Sequence, residues 1–61
     1  MVPSFYEMVL ELSSIDGVTV YKSAQQHEWG IIDRGMFLFT VDERDPADEF
    51  LMYYVDKCSL G

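Results

Sequence analysis

The chain has 61 residues and a formal net charge of −7, because eleven acidic side chains stand against four basic ones. A chain of this length forms a core only one thin layer deep, which excludes two-domain architectures and large active-site clefts. A hydrophobic content of 49% is too high for a disordered tail, so we predict one folded acidic domain over residues 1–61.

The first predicted element is a helix over residues 5–14. Ser4 and Glu7 have the spacing of a capping box, and apolar residues recur behind them at helical intervals. A strand remains an alternative, because apolar and polar residues also alternate over residues 6–13. Asp16-Gly17 ends the segment in either case, since glycine tolerates a positive φ.

Three strands are predicted next, over residues 18–22, 27–32 and 36–41. The first is rich in β-branched residues, and the other two flank Asp33-Arg34-Gly35, where the glycine suits the left-handed position of a bulged hairpin. We therefore predict an antiparallel meander. In its third strand alternation places three residues on each face: Phe37, Phe39 and Val41 on one, and Met36, Leu38 and Thr40 on the other.

A second, amphipathic helix is predicted over residues 46–58. Asp45 has the position of an N-cap before Pro46, which suits the first helical position. An apolar stripe recurs at helical spacing through Ala47, Phe50, Leu51, Tyr54, Val55 and Cys58. Met52 and Tyr53 lie off this stripe, and we expect them to leave apolar surface exposed. The predicted fold class is α+β, a small three-stranded antiparallel sheet with an N-terminal and a C-terminal helix.

Few residues in the chain suit catalysis or metal binding. His27 is the only imidazole, Cys58 is the only thiol, and no catalytic or phosphate-binding motif is present. The acidic residues lack the spacing and the central glycine of a calcium loop. We expect no enzyme activity, no cofactor and no metal site, and we expect Trp29 to be a core residue.

The charge and the N-terminal sequence limit the partners and the compartment. Four basic residues are too few to neutralise phosphates, so we expect no direct binding to nucleic acid. No apolar run approaches the roughly 20 residues of a membrane span, and the first four residues lack the basic start of a signal peptide. We expect a cytoplasmic protein that does not enter membranes.

The most distinctive feature is a run of five carboxylates within residues 42–49. Helix capping accounts for Asp45 and in part for Asp48 and Glu49, but it gives no reason for Asp42 and Glu43. Replacing that pair by lysine should therefore leave melting nearly unchanged. The predicted partner-binding residues are Asp42, Glu43, Asp45, Asp48, Glu49, Asp33 and Glu28.

In size, charge and lack of catalytic motifs the whole chain resembles small phage-encoded inhibitors, above all anti-CRISPR proteins, many of which block a nucleic-acid site. The resemblance implies a DNA-mimic-like acidic face that occupies the DNA-contacting Lys and Arg residues of an effector complex such as Cascade. The alternative is an interaction module that docks through an apolar sheet face or the C-terminal helix. In that case the negative charge serves solubility.

Overall fold

The computed structural model describes residues 3–58, which form two helices and a three-stranded antiparallel sheet. The elements in chain order are α1 (Phe5–Ser13), β1 (Val18–Lys22), β2 (Glu28–Asp33), β3 (Met36–Asp42) and α2 (Asp48–Cys58). The sheet order is β1-β2-β3, with antiparallel neighbours throughout. The predicted α+β fold is confirmed, and residues 5–13 form a helix, not a strand.

A capping box starts α1, as the spacing predicts. The Glu7 backbone N–H donates to Ser4 Oγ at 3.2 Å, and the Ser4 N–H donates to Glu7 Oε1 at 2.7 Å. The helix then buries Met8, Val9 and Leu12 on one side. Local hydrogen bonds and helical periodicity agree here, which is why the element is correctly predicted from a short stretch of sequence.

Both helices pack on the same face of the sheet. The centre of this core is made of the fully buried Leu12, Ile31 and Phe50, one from each of α1, β2 and α2. Trp29 packs against this core, in agreement with the prediction. Within residues 3–58, neither helix covers the outer face of the sheet.

The two helices run side by side in the same direction. Near their N-termini the rings of Phe5 and Phe50 are 5.1 Å apart, and further along the Tyr54 hydroxyl donates to Glu11 Oε1 at 2.9 Å. The N-terminal ends of α1 and α2 therefore lie at the same end of the molecule.

A β-bulge in β3 changes which side chains share a face. Ile31 pairs with Phe39 but Ile32 pairs with Phe37, so Leu38 is an extra residue between two regular pairs. Because Ile31 and Ile32 face opposite sides of the sheet, Phe37 and Phe39 do so too. The predicted common face for Phe37, Phe39 and Val41 is therefore wrong.

The β2–β3 turn contains two residues, Arg34 and Gly35. Both have positive φ, 52° and 81°, and the residues on either side, Asp33 and Met36, are paired. The left-handed Gly35 is confirmed, but the loop is one residue shorter than predicted. Two positive φ angles characterise the tight turn whose twist matches that of the flanking strands.

Helix α2 begins at Asp48, two residues later than predicted. The N–H groups of Phe50 and Leu51 both donate to the Ala47 carbonyl, at 3.0 and 3.3 Å, so the N-cap is Ala47 and not Asp45. The Asp45 N–H instead closes a turn by donating to the Asp42 carbonyl at 3.1 Å. This turn separates Asp45 from the helix, and its side chain is exposed.

The two cap positions should differ in their effect on stability. Ser4→Ala is expected to reduce the free energy of unfolding by about 0.5–2 kcal/mol, because it removes the capping hydroxyl. Asp45→Ala should change it by less than about 0.5 kcal/mol. Urea unfolding followed by circular dichroism measures both, and equal losses would show that Asp45 caps α2 after all.

Helix α2 is rotated relative to its predicted apolar stripe. Phe50 is buried and Tyr54 half-buried, but Leu51 and Val55 are 38% and 53% exposed. Tyr53, predicted to lie off the stripe, instead packs edge-on against Phe39 with ring centroids 5.9 Å apart. Met52 is exposed, as predicted.

Polar contacts with β2 explain this rotation. The Tyr53 hydroxyl donates to Asp33 Oδ2 at 2.8 Å, and Lys57 Nζ lies 3.1 Å from the same oxygen. Positions 53 and 57 are one helical turn apart, so both contacts turn the same side of α2 toward the sheet. The opposite side, with its apolar residues, is left facing solvent.

Candidate partner-binding surface

One predicted surface residue, Glu43, is mostly covered, with 13% of its side chain exposed. Its Oε1 accepts hydrogen bonds from Trp29 Nε1 at 2.8 Å and from the Tyr6 hydroxyl at 2.9 Å. Its Oε2 lies 2.7 Å from His27 Nδ1. We call these four residues the Glu43 network.

The Glu43 network joins three separate parts of the chain. Tyr6 lies on α1, Trp29 on β2 and His27 in the loop before β2, where the Glu43 N–H also donates to the His27 carbonyl at 2.8 Å. The bond to His27, followed by that to Trp29, lowers the pKa of Glu43 to about 2. Lysine at position 43 would remove all three side-chain contacts, so we expect melting to be sensitive to this position, in contrast to the expectation from the sequence.

Asp42 and Asp33 are also engaged within the chain. Arg44 holds Asp42 through Nη2–Oδ2 and Nε–Oδ1 contacts of 2.8 and 3.1 Å, and this pairing lowers the pKa of Asp42 to about 2. The Tyr53 and Lys57 contacts lower the pKa of Asp33, whose side chain is 15% exposed. Each of these carboxylates has a cation of the chain beside it.

Glu28 stands apart from the other predicted residues. It pairs with Asp42 across the β2–β3 ladder and precedes Trp29, whose side chain faces the helices. Because neighbouring strand residues alternate, Glu28 lies on the outer face of the sheet. The structure therefore divides the predicted set and leaves Asp45, Asp48 and Glu49 as its exposed members near α2.

Further exposed carboxylates lie on the solvent side of the helix layer. We call the following residues of α1 and α2 the helical acidic face: Glu7, Glu11, Asp48, Glu49 and Asp56. Asp45 lies in the loop just before α2, at the end where both helices begin. Asp48 and Glu49 also meet the positive end of the α2 dipole.

No basic residue of the described range 3–58 lies on the helical acidic face. Arg44 pairs with Asp42 and Lys57 with Asp33, while Lys22 Nζ lies 5.4 Å from the centre of the Trp29 ring. Arg34 is in the β2–β3 turn. The cations thus reduce the charge of other parts of the surface and leave this face strongly negative.

Glu7, Glu11 and Asp56 are not among the partner-binding residues predicted from the sequence. The sequence signal for these residues is helical spacing. Glu7 and Glu11 are four residues apart, and Asp48, Met52 and Asp56 also follow one another at four-residue intervals. The dense run at 42–49 consists of neighbours in sequence, whereas these residues are neighbours on a helix face.

An apolar surface lies beside these carboxylates. Leu51, Met52 and Val55, which we call the α2 apolar strip, are 38%, 71% and 53% exposed. With Asp56 they line a shallow open depression of about 570 Å³. Three adjoining apolar side chains on one helix therefore form a contiguous exposed patch.

Within residues 3–58 no group of three His, Cys, Asp or Glu side chains is arranged to hold a metal ion. None of the described helices has the length and apolar character needed to cross a membrane. The arrangement suits binding by charge and by apolar contact. No family model, curated protein or solved structure matches the chain.

Proposed function

We propose that the chain is a non-catalytic inhibitor that binds a basic, nucleic-acid-contacting surface of another protein. The contact is made by the helical acidic face together with Asp45. The observation that carries this proposal is the gathering of exposed carboxylates on one side of the molecule, with the basic residues of the described range lying elsewhere.

The physical argument is competition for the same cations. A DNA duplex carries one negative charge per roughly 1.7 Å of axis, and proteins that bind it present Lys and Arg side chains to those charges. Carboxylates held on two packed helices satisfy the same side chains. They do so without the loss of conformational entropy that a flexible acidic tail would suffer on binding.

The partner we propose is a CRISPR effector complex such as Cascade, and the chain would then act as an anti-CRISPR protein. The support is the resemblance in size, charge and lack of catalytic motifs, together with an acidic face of suitable chemistry. Such complexes work in the cytoplasm, where we expect the chain to act. Asp33, Asp42 and Glu43, which are engaged within the chain, are not part of the proposed contact.

This proposal is tested with purified Cascade and its target duplex in a mobility-shift assay. We expect the chain to prevent formation of the DNA complex at about 50 mM salt and to lose at least about tenfold in potency at 300 mM, because salt screens exposed charges. The chain alone should not shift the duplex.

Matched variants identify the contact surface. Asp45→Asn with Glu49→Gln removes two charges from the proposed site, and we expect inhibition to weaken about tenfold. Asp16→Asn with Glu28→Gln removes two charges from other exposed or half-exposed positions and should leave inhibition unchanged. Equal losses would mean that only net charge matters, and absence of inhibition by the unmodified chain would refute the Cascade assignment.

A second candidate function is an interaction module that docks through the outer face of the sheet. The observation favouring it is that Phe37, 54% exposed, lies beside Ile32 on the face that neither helix covers. Binding of this kind should change little with salt. Phe37→Gln should weaken it, whereas the Asp45 and Glu49 substitutions should not.

A further inference from the structure

We propose that the helical acidic face binds a cationic amphipathic helix of the partner. Apolar side chains of that helix would lie on the α2 apolar strip, and its Lys and Arg side chains would meet the carboxylates on both sides. This inference rests on the proposed function and adds the chemistry of the partner segment.

The first support is the order of side chains along α2. Asp48, Met52 and Asp56 follow one another at four-residue intervals and so form one row on the helix surface. Leu51 and Val55 form the neighbouring row, also four residues apart. An apolar centre about one helical turn long thus has a carboxylate at each end of one row.

The second support is the position of α1 along the other side of the strip. The Tyr54 hydroxyl donates to Glu11 Oε1 at 2.9 Å, and Glu7 lies one helical turn before Glu11 on α1. Tyr54 is adjacent in sequence to Val55 and one turn beyond Leu51. Glu7 and Glu11 therefore border the strip from α1, opposite the carboxylates of α2.

The carboxylates on both sides of the strip determine which kind of partner can bind there. A second copy of the chain would place carboxylates against carboxylates, and nucleic acid or an anionic membrane would be repelled in the same way. A neutral apolar segment would cover the strip but leave the carboxylates beside it without partners. An amphipathic helix with an apolar stripe and basic flanks complements both parts, in the manner of helix-in-groove recognition.

The probe for this inference is a fluorescein-labelled 18-residue peptide of Leu and Lys, with Leu at i, i+3, i+4 and i+7 intervals. The control peptide has the same composition in an order that gives no helical stripe. Fluorescence anisotropy at about 150 mM salt should show at least tenfold tighter binding of the striped peptide. Equal affinities would overturn the inference, because charge alone would then explain binding.

The variant Leu51→Gln with Val55→Gln tests the strip itself. Glutamine keeps helix propensity while removing apolar contact, so peptide affinity should fall at least tenfold with an unchanged circular dichroism spectrum. Leu10→Gln is the matched control, since Leu10 is an exposed apolar residue of α1 outside the strip. Unchanged affinity in the strip variant, or an equal loss in the control, would refute the inference.

Two further measurements separate this inference from the function on which it rests. If the strip variant still inhibits Cascade while the Asp45 and Glu49 variant does not, the proposed function stands and the amphipathic partner falls. If the striped peptide binds through the strip but neither variant alters inhibition, the amphipathic partner stands and the proposed function falls. Self-association that is abolished by the strip substitutions would identify a second copy as the occupant and overturn the inference.

Discussion

Replacing Phe50 by alanine is expected to leave a large fraction of the molecules unfolded at 25 °C. Phe50 is fully buried between the helices and the sheet, and its ring packs 5.1 Å from that of Phe5. Truncating such a side chain typically costs about 3–5 kcal/mol. A domain of this length has a total free energy of unfolding of about 3–9 kcal/mol, so one substitution removes much of it.

Urea titration followed by circular dichroism measures this loss, with Leu51→Ala as the control. Leu51 follows Phe50 on the same helix but is 38% exposed, so its truncation should cost clearly less. The two positions were equivalent members of the predicted apolar stripe. Equal costs would mean that α2 packs with Leu51 inward and would contradict the observed rotation.

Acidification is expected to unfold the chain in a pH range set largely by Glu43. The folded-state pKa of about 2 lies below the ordinary value of 4.5 for a glutamate, so the unfolded chain binds more protons between these values. The stability from this carboxylate is complete above about pH 5 and is lost as the pH falls toward 2. Asp42, with a pKa also near 2, contributes in the same direction.

The variant Glu43→Gln isolates this contribution. It removes the charge that pairs with His27 and weakens the bonds from Trp29 and Tyr6, and we expect Tm at pH 7 to fall by roughly 10 °C. Its Tm should also vary less between pH 5 and pH 3 than that of the unmodified chain. Glu49→Gln, at an exposed position, should change neither quantity, and an identical acid dependence in all three chains would contradict the role given to Glu43.

The elements predicted correctly are those whose signals lie within a few residues of one another. Ser4 and Glu7 form the capping box from three residues apart, and Gly35 takes its positive φ within a turn of two residues. Such features depend on the local chain alone. They gave the order of helices and strands and therefore the fold class.

The features that the sequence did not reveal depend on residues far apart in the chain. Glu43 has a structural role because Tyr6, 37 residues away in the chain, donates a hydrogen bond to it. In the sequence Glu43 belongs to a run of carboxylates, which is typical of a solvent-exposed segment. The rotation of α2 depends on Tyr53 and Asp33, 20 residues apart. The apolar residues of α2 point to most sides of the helix, so helical periodicity alone could not show which side faces the sheet.

The candidate site was predictable in part for the same reason. Asp45, Asp48 and Glu49 are exposed, as expected for charged residues at a loop and a helix start. The helical acidic face as a unit needed the side-by-side arrangement of α1 and α2, which is a tertiary relationship. Only that arrangement brings Glu7 and Glu11 beside the apolar residues of α2.

The indole of Trp29 gives this protein an internal optical reporter. The chain contains one tryptophan, and its N–H donates to Glu43 in the junction where α1, β2 and the segment after β3 meet. The emission of this single fluorophore therefore follows the integrity of that junction, while far-ultraviolet ellipticity follows helix content. If the junction opens before the helices unfold, the two signals will change at different points of a titration. No label needs to be attached to the chain.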